Sequence, residues 1–351
     1  MSQTTYRVLL LAHGGTITMA PDDKGTLMPA VNGQELLELV PTLQKLKDVE
    51  IKFMEIANLD STNLNPSHWT ALANVLRENR DAYDGFIVTH GTDTMPYSAS
   101  AISVALGRGF GKPIVFTGSQ IPLRTFGTDA VFNMENAFLA LLQAMKNGIS
   151  EVMIVFGHMV LRGSRTIKMS ESHFHAFESP AYRPLAEITA LGIGFRSSAL
   201  KVDTSIRFDF LPHFQRNILT IDLVPGQEPG IVSQVLRSGT CRGLILKSHG
   251  AGNVPIHEEY SFIPVIEKAT ELRIPVLIST KFVGGKTLPI YEPAIKAMAA
   301  GAIPTGDMTD VMAQVKFMWA LAQGCTEREA LSDFLHRNFV GEITPDRMVV
   351  H

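Results

Sequence analysis

Short, wholly apolar runs alternate with longer stretches of three- and four-residue periodicity, and this rhythm sets the reading of the chain. Val8–Ala12, Gly85–Val88, Pro113–Phe116 and Val152–Phe156 are apolar runs of strand length, and Ile51–Ile56 also reads as a strand. A strand with no polar face is one buried on both sides, as in a parallel sheet covered by helices. Between them, Gln34–Val40, a segment from Asn65-Pro66 to about Glu78, Ser98–Gly107, and Ala130–Met145 read as helices. Asn65-Pro66 supplies a cap and a first-turn proline, and Ala130, Met134, Ala137, Leu141 and Met145 form one apolar stripe. From Ser179 to Arg216 the periodicity fades among Pro180, Pro184, Gly192, Gly194 and Pro212. It resumes with strands at Asn217–Leu223, Gly243–Ser248 and Pro275–Thr280, and helices near Gly230–Arg237, Glu258–Glu271 and Asp310–Gly324. Strand–helix alternation on this scale predicts an α/β protein of two domains, each a mainly parallel sheet flanked by helices. The expected boundaries are 1–190 for the first domain, 191–216 for a linker and 217–351 for a smaller second domain.

The polar residues of the first half gather where its strands end. His13-Gly-Gly-Thr16-Ile-Thr18, Asn58-Leu-Asp60-Ser61-Thr62-Asn63, Thr89-His-Gly-Thr92-Asp93-Thr94 and Thr117-Gly-Ser119-Gln120 each follow an expected strand. Parallel strands bring such loops to one rim, and ligands bind there, where neighbouring crossovers depart to opposite faces of the sheet. If the first and third strands are neighbours, Thr16 and Thr92 face each other. A threonine hydroxyl is a weak nucleophile at neutral pH and needs a base beside it. Lys168, in Arg162-Gly-Ser-Arg165-Thr-Ile-Lys168, is the candidate base if it lies against Asp93. Each element also has a plainer reading. Gly14-Gly15 is compatible with a tight turn, Asp93-Thr94 with a helix cap, Asp60-Ser61-Thr62 with an Asx-turn, and Lys168 with a solvated charge. Alternatively, Asp60, Ser61 and Thr62 grip the charged ends of an amino acid. Ala20–Ala30, rich in turn formers and directly after Thr16, reads as a mobile lid.

Composition narrows the partners. A formal net charge of −3 with no basic cluster argues against nucleic acid or an anionic membrane surface. No apolar stretch is long enough to span a bilayer, and the run at Val8–Ala12 leads into a glycine loop rather than a signal-peptide cleavage site. Two cysteines, Cys241 and Cys325, without metal spacing favour a reducing cytoplasm and no zinc site. The pair His173-Phe-His175 is weak ground for a metal. No Gly-x-Ser-x-Gly elbow and no dinucleotide fingerprint occurs, which sets aside serine esterases of that type and dinucleotide-binding dehydrogenases.

Taken together and in order, His-Gly-Gly-Thr16-Ile, His-Gly-Thr92-Asp93-Thr-Met, Thr-Gly-Ser119-Gln-Ile-Pro-Leu and Arg-Gly-Ser-Arg-Thr-Ile-Lys168 resemble the bacterial-type L-asparaginases, in their cytoplasmic type I branch. Lys-Ser-His-Gly-Ala-Gly-Asn-Val-Pro255 and Gly-Glu-Ile-Thr-Pro345 extend the resemblance over nearly the whole chain. The resemblance implies a larger, flavodoxin-like N-terminal domain and a smaller, Rossmann-like C-terminal one. It implies hydrolysis of L-asparagine to L-aspartate and ammonia without metal or cofactor, by a cytoplasmic homodimer or homotetramer. Thr16 would be the nucleophile of an acyl-enzyme, with Thr92, Asp93 and Lys168 as a proton relay. Asp60, Ser61, Thr62, Thr92, Asp93 and Ser119 would bind substrate, and the Thr92 amide would stabilise the oxyanion, a contact worth about 3 kcal/mol. Two family features are missing. No tyrosine lies between Tyr6 and Tyr83 to serve in the lid, where either Thr26 or a side chain from another loop would substitute, and Lys281-Phe282 follow Thr280 where some type I enzymes carry an effector-site cysteine. Rival readings are a non-catalytic amino-acid sensor and the ammonia-releasing subunit of a tRNA-dependent amidotransferase. The latter carries an extra domain ahead of its first strand, whereas here that strand is expected by about Tyr6.

Overall fold

A computed structural model describes residues 5–21, 24, 27–29 and 38–345. The chain divides between Pro212 and His213 into two compact units. In the first, β1 (Tyr6–Ala12) lies between β4 (Val49–Glu55) and β5 (Gly85–Thr89), and β6 (Ile114–Thr117) and β7 (Val152–Phe156) follow β5 outward, all five parallel. Counting only these strands in chain order, the sheet runs 2-1-3-4-5, the flavodoxin-like winding, whose switch point falls between β1 and β5. Ala12 pairs with Thr89 and Thr89 with Thr117, so the three strands end level and their loops leave from one edge.

Burial explains why these strands were legible. Val8, Leu10, Leu11, Phe86, Ile87, Val88, Ile114, Val115 and Phe116 are all inaccessible to solvent. Helix α3 (Ala130–Lys146) packs its stripe of Ala130, Met134, Ala137, Leu141 and Ala144 into that core. Helices α1 (Pro66–Asn79) and α2 (Met95–Leu106) pack against each other, joined by the Trp69 indole donating to the Ser98 hydroxyl. The Asn65 side chain accepts from the Ser67 amide, so the expected cap and first-turn proline both start α1.

Beyond β7 the regular strand–helix alternation of the first unit ends. β8 (Met159–Arg162), β11 (Ala186–Thr189) and β12 (Gly192–Ile193) extend the sheet to eight strands by antiparallel pairing. A two-residue reversal at Gly157-His158, with Gly157 at φ 57°, turns β7 directly into β8. The short pair β9 (Ile167–Lys168) and β10 (Phe177–Glu178) sets Lys168 opposite Phe177. The stretch 191–212, expected as linker, therefore sits with the first unit: β12 pairs with β11, and the Leu200 amide donates to the buried carboxylate of Glu151. Strands of two to four residues carry too little pattern to stand out from a loop. Most of the helix expected at Gln34–Val40 and part of the lid at Ala20–Ala30, Thr26 included, lie outside the described residues. Flanking them, β2 (Met19–Pro21) and β3 (Leu27–Pro29) pair antiparallel.

The second unit is a four-stranded parallel sheet in chain order, β13 (Ile218–Asp222), β14 (Gly243–Ser248), β15 (Val276–Thr280) and β16 (Ile303–Pro304). Its helices are α4 (Gly230–Arg237), α5 (Ile263–Glu271), α6 (Glu292–Ala299), α7 (Asp310–Ala322) and α8 (Arg328–His336). The expected helix at Glu258–Glu271 is split, because the Phe262 amide donates out of line to Pro255 and Pro264 fits only the first turn of a new helix. Among the described residues no helix is long and apolar enough to cross a membrane.

Candidate active site

The loops after β1, β4 and β5 meet in backbone contact at the switch point, and glycines make this possible. A Cβ on Gly15, whose φ is 95°, would stand 2.3 Å from the Gly91 nitrogen, and one on Gly91 would stand 2.5 Å from Ser61 Oγ. Neither position admits a side chain, so the β1 and β5 loops close on each other at Gly15 and Gly91, each directly ahead of a threonine, Thr16 and Thr92. Thr16 opens a single 3₁₀ turn that ends at Thr18, whose hydroxyl donates back to the Gly15 carbonyl.

Thr92 is buried, and the ammonium of Lys168 reaches both it and Asp93: Nζ lies 2.8 Å from Thr92 Oγ1 and 2.6 Å from Asp93 Oδ1. Lys168 is therefore not a solvated charge. Its side chain is 13% exposed, while that of Asp93 is 57% exposed. An ion pair with one wet partner adds little to stability, and its effect here is to fix the position of the amine. Nor do Asp93 and Thr94 act as a cap. The Thr94 hydroxyl donates to the Ser61 carbonyl, which ties the β5 loop to the β4 loop, and α2 starts without a side-chain cap.

Asp60 does make the Asx-turn, accepting from the amide and hydroxyl of Thr62 at 2.9 and 3.0 Å. Asp60 and Thr62 are exposed and Ser61 is buried. Ser119 is buried after β6, and its hydroxyl has no hydrogen-bond partner. Under the loops, His13 and His90 stack at 5.3 Å. The Gly91 carbonyl can only accept, so His90 Nδ1 carries the proton and donates to it at 2.7 Å; Nε2 then accepts from Ser98 Oγ at 2.8 Å. Burial lowers the pKa of His90 to about 4, against a small upward pull from Gly91. Burial, reinforced by His90 and His68, lowers His13 to about 3. Both rings are neutral at physiological pH.

Sequence reading left three contributors without a role. Asp129 and Asn133, at the start of α3, brace the β6 loop: Asp129 accepts the amides of Gln120 and Ile121, and Asn133 Nδ2 donates to the Gly118 carbonyl. Gln120 itself accepts from Thr92 Oγ1 at 3.3 Å. Its position one residue past Ser119 was the available signal. Among the described residues no group of three or more His, Cys, Asp or Glu is placed to hold a metal ion.

Hydroxyl, amine and carboxylate groups gather at the switch point of this α/β sheet, where enzymes of such winding bind their ligands. Comparison with known proteins makes this particular. Residues 7–201 match the model of the asparaginase N-terminal domain, and residues 217–334 that of the glutaminase/asparaginase C-terminal domain. The chain belongs to the asparaginase family. It is 32% identical to the L-asparaginase of Thermococcus kodakarensis, over 96% of this chain and 99% of that one. The solved structure of the thermostable L-asparaginase from that organism superposes with a TM-score of 0.87, at 30% identity, covering 96% of this chain and 99% of that one. L-asparaginase 1 of Escherichia coli K12 is 32% identical over 95% of this chain and 96% of its own length. A glutamyl-tRNA(Gln) amidotransferase subunit of Aeropyrum pernix is also 32% identical, over 96% of this chain and 79% of its own length.

Proposed function

We propose that this chain hydrolyses the side-chain amide of L-asparagine, giving L-aspartate and ammonia. The observation that carries the reading is the Lys168 amine held within hydrogen-bonding distance of both Thr92 and Asp93, in a loop whose Gly91 touches Gly15, the residue before Thr16. Thr16 Oγ1 attacks the amide carbon, and the Thr92 backbone amide receives the charge that develops on the carbonyl oxygen. Thr92 and Lys168 manage protons with Asp93, so that the nitrogen leaves as ammonia past Ser119 and water then releases aspartate from the Thr16 ester. Asp93 holds the substrate's ammonium, and Asp60, Ser61 and Thr62 receive its α-carboxylate end. A non-catalytic sensor would have no use for an amine tied to Thr92. The similarity to the A. pernix protein supports a second reading, in which the ammonia is delivered to a tRNA-dependent partner. A cytoplasmic location belongs to the same proposal and rests on two free cysteines, Cys241 and Cys325.

Purified chain, assayed alone by ammonia release, is expected to turn over asparagine with or without chelator. Thr16→Ala and Thr92→Val should each reduce the rate on the order of 10²- to 10⁴-fold with unfolding behaviour unchanged. Full activity in either variant removes that hydroxyl from the mechanism. Turnover only with tRNA and a partner protein present would select the second reading.

A further inference from the structure

The side chain of Gln120 bridges the relay and the loop that follows Lys168. Its amide nitrogen, Nε2, donates to the carbonyls of His173 at 3.0 Å and Ser170 at 3.5 Å. Two carbonyls can only accept, which fixes the orientation of the carboxamide and turns Oε1 toward Thr92, 3.3 Å from Oγ1. The main chain leaves no slack, because both oxygens of Asp129 accept from the Gln120 amide.

Thr92 Oγ1 thus has one proton and two neighbours that compete for it. Gln120 Oε1 is an acceptor in every state, whereas Lys168 Nζ, 2.8 Å away, can accept only as a neutral amine. As an ammonium, Lys168 donates to Thr92 and to Asp93, so the threonine proton must point at Gln120. We infer that Gln120 is a positioning residue: by holding the Thr92 proton on its own oxygen it favours the ammonium form of Lys168 and so sets the pH at which the lysine becomes a base. The role ascribed to that base rests on the function proposed above; the competition for the proton does not.

Asp93 is the charged group paired with Lys168. Titratable neighbours on the packed elements are Glu178 on β10, Glu171, His173 and His175 on the following loop, Asp129 behind Gln120, and His90 before Thr92. Of these, His173 alone meets the Gln120 side chain, through its carbonyl and not its ring.

The test reads the amine directly. Trace acetylation by acetic anhydride across a pH series, with the Lys168 peptide quantified by mass spectrometry, gives a midpoint that needs no turnover. Gln120→Met keeps length and loses the acceptor, and its midpoint should fall by about 0.5 to 1 pH unit. Gln120→Glu places a carboxylate at the same point and should raise it. The acid limb of the kcat/KM profile on asparagine should move in the same directions. A Met variant with an unmoved or raised midpoint overturns the inference, as does a Glu variant with an unmoved or lowered one; the Glu variant decides alone if the Met variant does not fold. Should the wild type release no ammonia while the midpoints still shift, the amidohydrolase reading fails and the role of Gln120 stands.

Discussion

At the scale of single residues, the site combines groups visible in the sequence with groups that only folding could reveal. Thr16, Thr92, Asp93 and Lys168 could be singled out because each stands in a short polar motif beside glycine or at the end of an apolar run. Gln120 could not be assigned, because its amide is oriented by carbonyls 50 and 53 residues away. The stacked pair His13 and His90 was equally hidden, since nothing local marks a histidine as buried and neutral. Its consequence is measurable. Folded-state values of about 3 and about 4 lie below the ordinary 6.5, so between pH 6.5 and about 4 the unfolded chain binds protons that the folded chain refuses. Stability must then fall as the pH drops through that window, by up to about 1.4 kcal/mol per pH unit for each ring. Thermal unfolding midpoints measured from pH 7 to pH 4.5 should decline, and His90→Asn should flatten the slope. A level profile in the wild type would mean that one or both rings are charged in the folded state.

At the scale of elements, legibility followed burial. Strands packed on both faces read as unbroken apolar runs, and Val152–Phe156 and Gly243–Ser248 have the expected bounds. Elements that owe their form to partners were missed: β8 and β11 pair antiparallel at a sheet edge, and α6 and α8 are only eight and nine residues long. The segment after α8 is held by one buried ion pair. Lys316, on α7, donates to Glu342 Oε1 at 2.6 Å and to the carbonyls of Leu335 and Arg337, and both charged side chains are wholly buried. Glu342 in turn accepts the amides of Phe339 and Val340. Removing one partner leaves an uncompensated charge in the interior, at a cost of about 3 to 5 kcal/mol. Lys316→Met should lower stability toward chemical denaturant by that order, and adding Glu342→Gln should recover part of the loss by removing the charge while keeping an acceptor for the amides. A single variant within about 1 kcal/mol of wild type would contradict this account.

At the scale of the whole molecule, the alternation of pattern was enough for two α/β units with parallel sheets, while the division itself falls at Pro212, inside the stretch expected as linker. All the proposed site residues lie in the first unit. The second unit has a full core of its own and also an apolar surface that the core does not use. Ile290, Tyr291 and Ile295, at and just before the start of α6, are 65%, 58% and 51% exposed, and Tyr291 and Ile295 are one turn apart on the same face. Phe282 and Val283, in the loop after β15, are exposed as well. Single exposed hydrophobics are ordinary, but a stripe of this kind on one helix end favours burial against another surface. A second copy of the chain fits the homodimer or homotetramer that the family resemblance implies. Sedimentation equilibrium is therefore expected to give two or four times the chain mass, and Tyr291→Lys combined with Ile295→Glu should shift the population toward smaller species by burying charge at the contact. An unchanged mass in that variant, with its unfolding midpoint intact, would place the interface elsewhere on the molecule; a monomeric wild type would overturn the expected association altogether.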